Sequence, residues 1–220
     1  MREEYEQSGI RFDNASVRMA RLEEVVIVLK DLFADGPFRD TGDHVTVNEL
    51  VGTPRPLQQP HPPILIGGGG RKLLGVAARQ ADIVQIMPSI PQGALSANPY
   101  DFTSEAYQEK VSWVRDAAEG RFDEIELGAQ LLHVAITDDP EGAYEQFMEH
   151  FVPRMQAMGG EFTLSKDAFL ASTVVAIGTL DEVCAKLEET CARFGISYWT
   201  TAVGSRPAVL APIIERLADR

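Results

Sequence analysis

The sequence predicts an α/β fold with parallel strands, and three observations carry that prediction. Short apolar strands alternate with amphipathic helices along most of the 220 residues. Glycine or proline punctuates the junctions between them. The chain closes with a helix after a strand, the order in which a β/α barrel finishes. Four strands are expected, over residues 64–66, 81–87, 127–136 and 196–201. Four such strands suit either a small open α/β sheet or half of an eight-stranded barrel, and alternation alone does not separate the two. A helix that precedes any strand is odd for either, and suggests a chain that starts in the middle of a fold.

Taken in order, residues 17–33 place Leu22, Val25, Val26, Leu29, Leu32 and Phe33 at helical spacing, with Glu23, Glu24, Lys30 and Asp31 opposite. Gly36-Pro37 ends that helix. Residues 38–53 are polar and turn-rich, with a short hairpin expected around Asp43. Pro54, Pro56, Pro60, Pro62 and Pro63 stiffen the approach to the first strand, because proline and the residue before it avoid the helical region. Four glycines, Gly67 to Gly70, then turn the chain into a short helix over residues 72–80. A loop over residues 88–101 follows the second strand. Ala106, Trp113, Val114 and Ala117 mark the next helix, which Gly120 stops. After the third strand, Asp138-Asp139-Pro140-Glu141 reads as a helix start with an acidic cap and proline at the first position. Residues 161–177 carry no decisive pattern. Thr179-Leu180-Asp181-Glu182 is a capping box for a helix that Gly195 ends, and a last helix begins near residue 207.

Composition excludes several functions. Thirty-three acidic against 20 basic residues give a net charge of -13, so no Lys/Arg surplus exists to displace counterions from nucleic acid. The longest aliphatic stretch, Val25 to Leu29, is far short of a membrane span, and no secretory leader is expected. A cytoplasmic protein is expected. Cys184 and Cys191 lie two helical turns apart, too far for a disulfide, and read as buried thiols. His44, His61 and His150 have no acidic or thiol neighbours at ligand spacing, so no metal site is expected.

The glycine run is the most informative stretch. A strand that turns on glycines into a helix exposes backbone N–H groups to an anion. It is not a P-loop, since no Gly-Lys-Ser/Thr follows, and its glycine spacing does not fit the dinucleotide fingerprint. Arg71 and Lys72 could add charge to a phosphate or simply be solvated. No nucleophile–base–acid arrangement stands out, which suits redox chemistry performed by a bound cofactor.

Three segments resemble the luciferase-like flavin and deazaflavin monooxygenase and oxidoreductase family. The first holds Glu4-Tyr5, Gly9, Phe12, Arg18 and Arg21-Leu22-Glu23-Glu24. The second runs from Pro54-Arg55-Pro56-Leu57-Gln58 through Ile64-Leu65-Ile66-Gly67-Gly68 to Ala77-Ala78-Arg79 and Ala81-Asp82. The third is Ile177-Gly178-Thr179 with its helix and Gly195-Ile196-Ser197-Tyr198. The resemblance implies a partial (β/α)8 TIM barrel: the C-terminal four β/α units only, in one incomplete domain over residues 1–220. Residues 1–53 would be a helix plus an irregular insertion, and residues 54–220 the last four strands with their helices. It implies hydride transfer through coenzyme F420, a deazaflavin, or alternatively FMN, to or from a small organic substrate. The turn Gly67, Gly68, Gly69 and Gly70 with Arg71 would hold the phosphate. Gln85 and Met87, near a strand's C-terminal end, would line the pocket. A half-barrel also implies a homo-oligomer or a complementing N-terminal half-barrel, and leaves open a non-catalytic relic or assembly partner. Asp82, at a strand start, is expected to pair with Arg79; His133, Tyr198 and Trp199 face either the pocket or the core.

Overall fold

The computed structural model describes residues 2–90, 98–157, 159–201 and 207–218. Among them lie eight strands and eight α-helices, twice the expected number of strands. That count, (β/α)8-like in number, overturns the expectation of four C-terminal β/α units. The difference has three sources, the last being a break that splits residues 127–136 into two strands. The polar stretch folds into a hairpin of its own, β1 (Phe38–Thr41) and β2 (Thr46–Leu50), paired antiparallel around Asp43. The undecided stretch contains a short helix, α6 (Lys166–Leu170), and a strand, β7 (Val175–Gly178).

The parallel strands β3 (Leu65–Gly68), β4 (Ile83–Ile86), β5 (Glu126–Leu131) and β8 (Ile196–Thr201) form one sheet in that order. A separate strand, β6 (His133–Ile136), pairs parallel with β7. The sequence reads residues 127–136 as one strand. The structure breaks it at Leu132, whose N–H donates to Val174 O at 2.7 Å. Before the break the strand lies between β4 and β8, and after it beside β7. Apolar residues run through both halves, so hydropathy carries no sign of the change of neighbour.

Helices α3 (Arg71–Gln80) and α4 (Ser104–Ala117) cover one face of the four-stranded sheet. Leu74, Ala77, Tyr107, Val111 and Val114 pack there with Val84 and Ile86 in the main core. Helix α7 (Leu180–Phe194) has the expected capping box at Thr179 and Glu182, and Gly195 ends it at φ 75°. With α8 (Pro207–Leu217) it builds a second cluster around Ala176, Val183 and Leu187. The acid-capped helix is α5 (Pro140–Ala157), with Asp139 Oδ1 accepting from the Gly142 N–H at 3.0 Å.

Ahead of the sheet lie α1 (Arg2–Gln7) and α2 (Ala15–Phe33), the latter capped by Asn14. Helix α2 buries Val26 and Val28, while Val25 and Leu29 of the expected face stay more than a third exposed. The reason is its partners: α2 docks on α3 through the Glu23–Arg79 pair and on the β1–β2 hairpin, whose turn donates three backbone N–H groups to Glu24. Arg55 pairs with the surface carboxylate of Asp35. Cys184 is buried as expected, but Cys191 is exposed.

Candidate functional site

The glycine turn divides into two functions. Gly67 and Gly68 belong to β3, opposite Gln85 and Ile86, so the strand runs two residues further than its apolar triplet suggests. Only Gly69 and Gly70 make the turn. A Cβ on Gly69 would lie 2.5 Å from Pro88 C and Ser89 N, so glycine is required there for two backbones to touch. A Cβ on Gly68 would meet the Leu73 side chain at 2.5 Å. Gly70 is different: its Cβ would meet nothing within 4 Å, and its φ of -94° suits any residue.

Gly70 is the N-cap of α3, and no side chain caps that helix. The first N–H groups of a helix have no intrahelical acceptor. Here no side chain caps them, the first turn holds no acidic residue, and Arg71 and Lys72 are exposed beside them. Lys72 Nζ donates to Ser16 Oγ at 3.3 Å. The positive end of the helix dipole adds to this field.

Strand register sorts the other candidates. Successive side chains alternate between faces. Val84 and Ile86 belong to the core under the helices, so Gln85 and Met87 lie on the opposite face. Register brings Gly67 and Gly128 beside Gln85, and Thr200 beside Gln130. Gln85 is 7 % exposed and donates from Nε2 to Thr200 Oγ1 at 2.6 Å. The middle of the face away from the helices is therefore polar or small, at Gly67, Gln85, Gly128, Gln130 and Thr200, with Leu65 and Ile83 at one end of it and Met87 at the other. Tyr198 lies on it by register with Gly128, and Trp199 packs into the core clusters instead.

A buried ion pair holds the segment behind the turn. Lys110 is 1 % exposed; its Nζ lies 2.6 Å from Asp101 Oδ1 and donates to Met87 O at 2.8 Å. Asp101 Oδ2 accepts from the Ser89 N–H, and Ser89 Oγ donates to Gly69 O at 2.8 Å. Residues 87–89 are thus fastened both to α4 and to the glycine turn. Burial pushes the Lys110 ammonium below the usual lysine range, against the pull of Asp101. Burial also raises the nearby Tyr107 phenol, with Asp101 adding to the effect, and its hydroxyl is buried without a hydrogen-bond partner among the described residues. Nothing in the sequence singles out Lys110, Asp101, Ser89 or Tyr107. A lysine on an amphipathic helix reads as solvated, and nothing local marks it as buried.

Met87 also belongs to a pocket at the C-terminal ends of β4 and β5. Its walls include Phe102, Leu132, Phe151, Phe162 and Val174, and its volume is about 150 Å³. Gln130 and Glu161 supply polar groups to the lining. Gly67 touches this region through Met87, whose Sδ would lie 3.4 Å from a Cβ there. Gly68 to Arg71 lie outside the lining, so the turn and the pocket meet only through the segment that Lys110 fixes.

The remaining candidates are structural. Asp82 does not pair with Arg79; its Oδ2 accepts from the Ile64 N–H at 2.7 Å, tying β3 to β4, while Arg79 is taken by Glu23. His133 lies against Phe147 and Phe169, with ring centroids 4.9 and 6.4 Å away, and burial depresses its pKa. Among the described residues no group of His, Cys, Asp and Glu converges to hold a metal ion. No described helix is long and apolar enough to cross a membrane.

The structure is similar to EDTA monooxygenase from Chelativorans sp. BNC1, with TM-score 0.69 and 15 % identity over 97 % of this chain and 62 % of that one. It is also similar to the coenzyme F420 dependent tetrahydromethanopterin reductase of Methanopyrus kandleri, with TM-score 0.63 and 17 % identity over 89 % and 61 %. A 65-residue stretch is 37 % identical to the FMNH(2)-dependent dimethylsulfone monooxygenase of Pseudomonas putida, covering 30 % of this chain and 18 % of the relative. The chain thus spans about 60 % of the length of these solved structures. The family model for luciferase-like monooxygenases matches residues 2–198. That span corrects the expectation that only a C-terminal half would match, and the complementing N-terminal half-barrel expected as a partner falls with it. With nearly all of its residues inside one family match, the chain belongs to the luciferase-like monooxygenase family.

Proposed function

We propose that the chain is a coenzyme-dependent oxidoreductase that holds a flavin-type phosphate at the start of α3, with coenzyme F420 preferred and FMN the alternative. The uncapped helix start at Gly70 carries this reading. It combines a helix start with no side-chain cap, free space for a side chain at Gly70, two adjacent cations and no acid in the first turn, within a strongly acidic protein. Relatives described as using either coenzyme support the class.

When bound, such a coenzyme supplies hydride-transfer chemistry at its ring. The chain's own residues bind and orient. Gly70 and Arg71 hold the phosphate. Gly68 leaves room for Leu73, and Gly69 lets the turn touch the backbone of residues 87–89, which fixes the approach to that helix start. Gln85, fixed by Thr200, and Met87 line the ring's side of the site and lead to the pocket for a small organic substrate. The walls there are largely apolar.

Gly70→Asp tests the reading. Aspartate is a favourable N-cap and finds open space here, so the fold should be unchanged or slightly stabilised. Its carboxylate would occupy the phosphate's donors and repel it. Coenzyme titrations followed by absorbance should show binding weakened at least tenfold, with an unchanged melting temperature. Equal affinity in the variant would place the phosphate elsewhere. Tight FMN binding with no response to F420 would overturn the coenzyme preference. Gly68→Asp is a poorer probe, because Leu73 occupies the space its side chain needs.

A further inference from the structure

We infer that the pocket beside Met87 takes an uncharged, mostly hydrocarbon ketone or alcohol of about the size of a six-membered ring, oriented by Gln130. The inference rests on the preceding reading, since it treats this pocket as the substrate end of the coenzyme site. A cavity of about 150 Å³ with aliphatic and aromatic walls matches the size known to admit benzene. Phe102, Phe151 and Phe162 from three different segments, with Leu132 and Val174, give walls suited to a compact hydrocarbon body.

The polar groups set the functional handle. Gln130 lies on β5 and lines the cavity, and its side-chain amide has no partner among the described residues. An amide both donates and accepts, so a carbonyl or hydroxyl satisfies it. A carboxylate does not fit. Among the described residues no lysine or arginine lines the pocket, and Glu161 is the only charged one that does. An anion would lose its hydration without gaining a counter-charge, and would face a like charge as well.

Calorimetric titration of the protein without coenzyme tests the inference, using cyclohexanone, benzene and cyclohexanecarboxylate as probes. Cyclohexanone should bind saturably and the carboxylate should not. Gln130→Leu should weaken cyclohexanone about three- to tenfold, the range of one neutral hydrogen bond, and leave benzene unchanged. Met155→Arg, on the pocket wall, supplies the missing cation and should admit the carboxylate. The inference is overturned if the carboxylate binds the natural protein as tightly as the ketone, if Gln130→Leu leaves cyclohexanone unaffected, or if no probe saturates. These readouts need no coenzyme. Loss of the coenzyme reading would appear separately, as cyclohexanone binding in a protein that takes neither F420 nor FMN.

Discussion

Replacing Lys110 with methionine removes a buried charge while keeping an unbranched apolar stem of similar length. The lysine side chain is 2 % exposed and gives two short contacts, 2.6 Å to Asp101 and 2.8 Å to Met87 O. Its loss leaves Asp101, with an 11 % exposed side chain, holding a negative charge supported by the Ser89 N–H alone among its described hydrogen bonds. Removing one partner of a buried pair costs about 3–5 kcal/mol, most of it from the stranded charge. Lys110→Met should therefore lie near the top of that range, and Asp101→Asn added to it should recover about half. The asparagine is neutral but can still accept from Ser89. Urea unfolding followed by circular dichroism measures both. Because the pair fastens residues 87–89 to Gly69, coenzyme affinity should fall in the single variant under conditions where it remains folded. A loss below about 1 kcal/mol, or a double variant no more stable than the single, would refute the claim that this ion pair anchors the turn.

Two adjacent glycines should respond oppositely to one methyl group. Gly69→Ala drives a Cβ into the backbone of residues 87–89 and should destabilise the protein by about 1–3 kcal/mol in thermal melts, whereas Gly70→Ala should stay within about 0.5 kcal/mol. The bond from Arg79 holds the Glu23 carboxyl below its ordinary value of 4.5. A carboxylate depressed on folding contributes stability that is present above pH 4.5 and lost as the pH falls through the folded value. Glu23→Gln should therefore cost up to about 1 kcal/mol at neutral pH, a small effect because the pair is partly solvated, and the difference from the natural protein should vanish in acid unfolding curves.

The candidate site was legible in the sequence where its signals are local. Gly67 to Gly70 next to Arg71 stand out because the strand, the turn and the helix start are consecutive in the chain. Gln85 and Met87 follow from their place near the end of one strand. Gln130, Phe162, Lys110 and Asp101 were not legible, since each reads locally as an ordinary strand, loop or helix residue. The expected Asp82–Arg79 pair failed for the same reason: proximity in sequence favoured it, but Glu23, 56 residues from Arg79, arrives on another helix with a better bidentate geometry.

The sequence by itself determined the parallel β/α class, the hairpin around Asp43, the Asp139 cap of α5, and the Thr179–Glu182 box with Gly195 that begins and ends α7. Each rests on hydrogen bonds or steric limits spanning a few residues, which residue identity fixes directly. Tertiary structure alone decided the number of strands, the break at Leu132, the face on which Gln85 lies and the burial of Lys110. These depend on which segments meet across long separations, as Gln85 meets Thr200 across 115 residues. An apolar strand is equally stable beside several neighbours until the rest of the core selects one, and a charged side chain is buried only when packing brings its counter-charge with it.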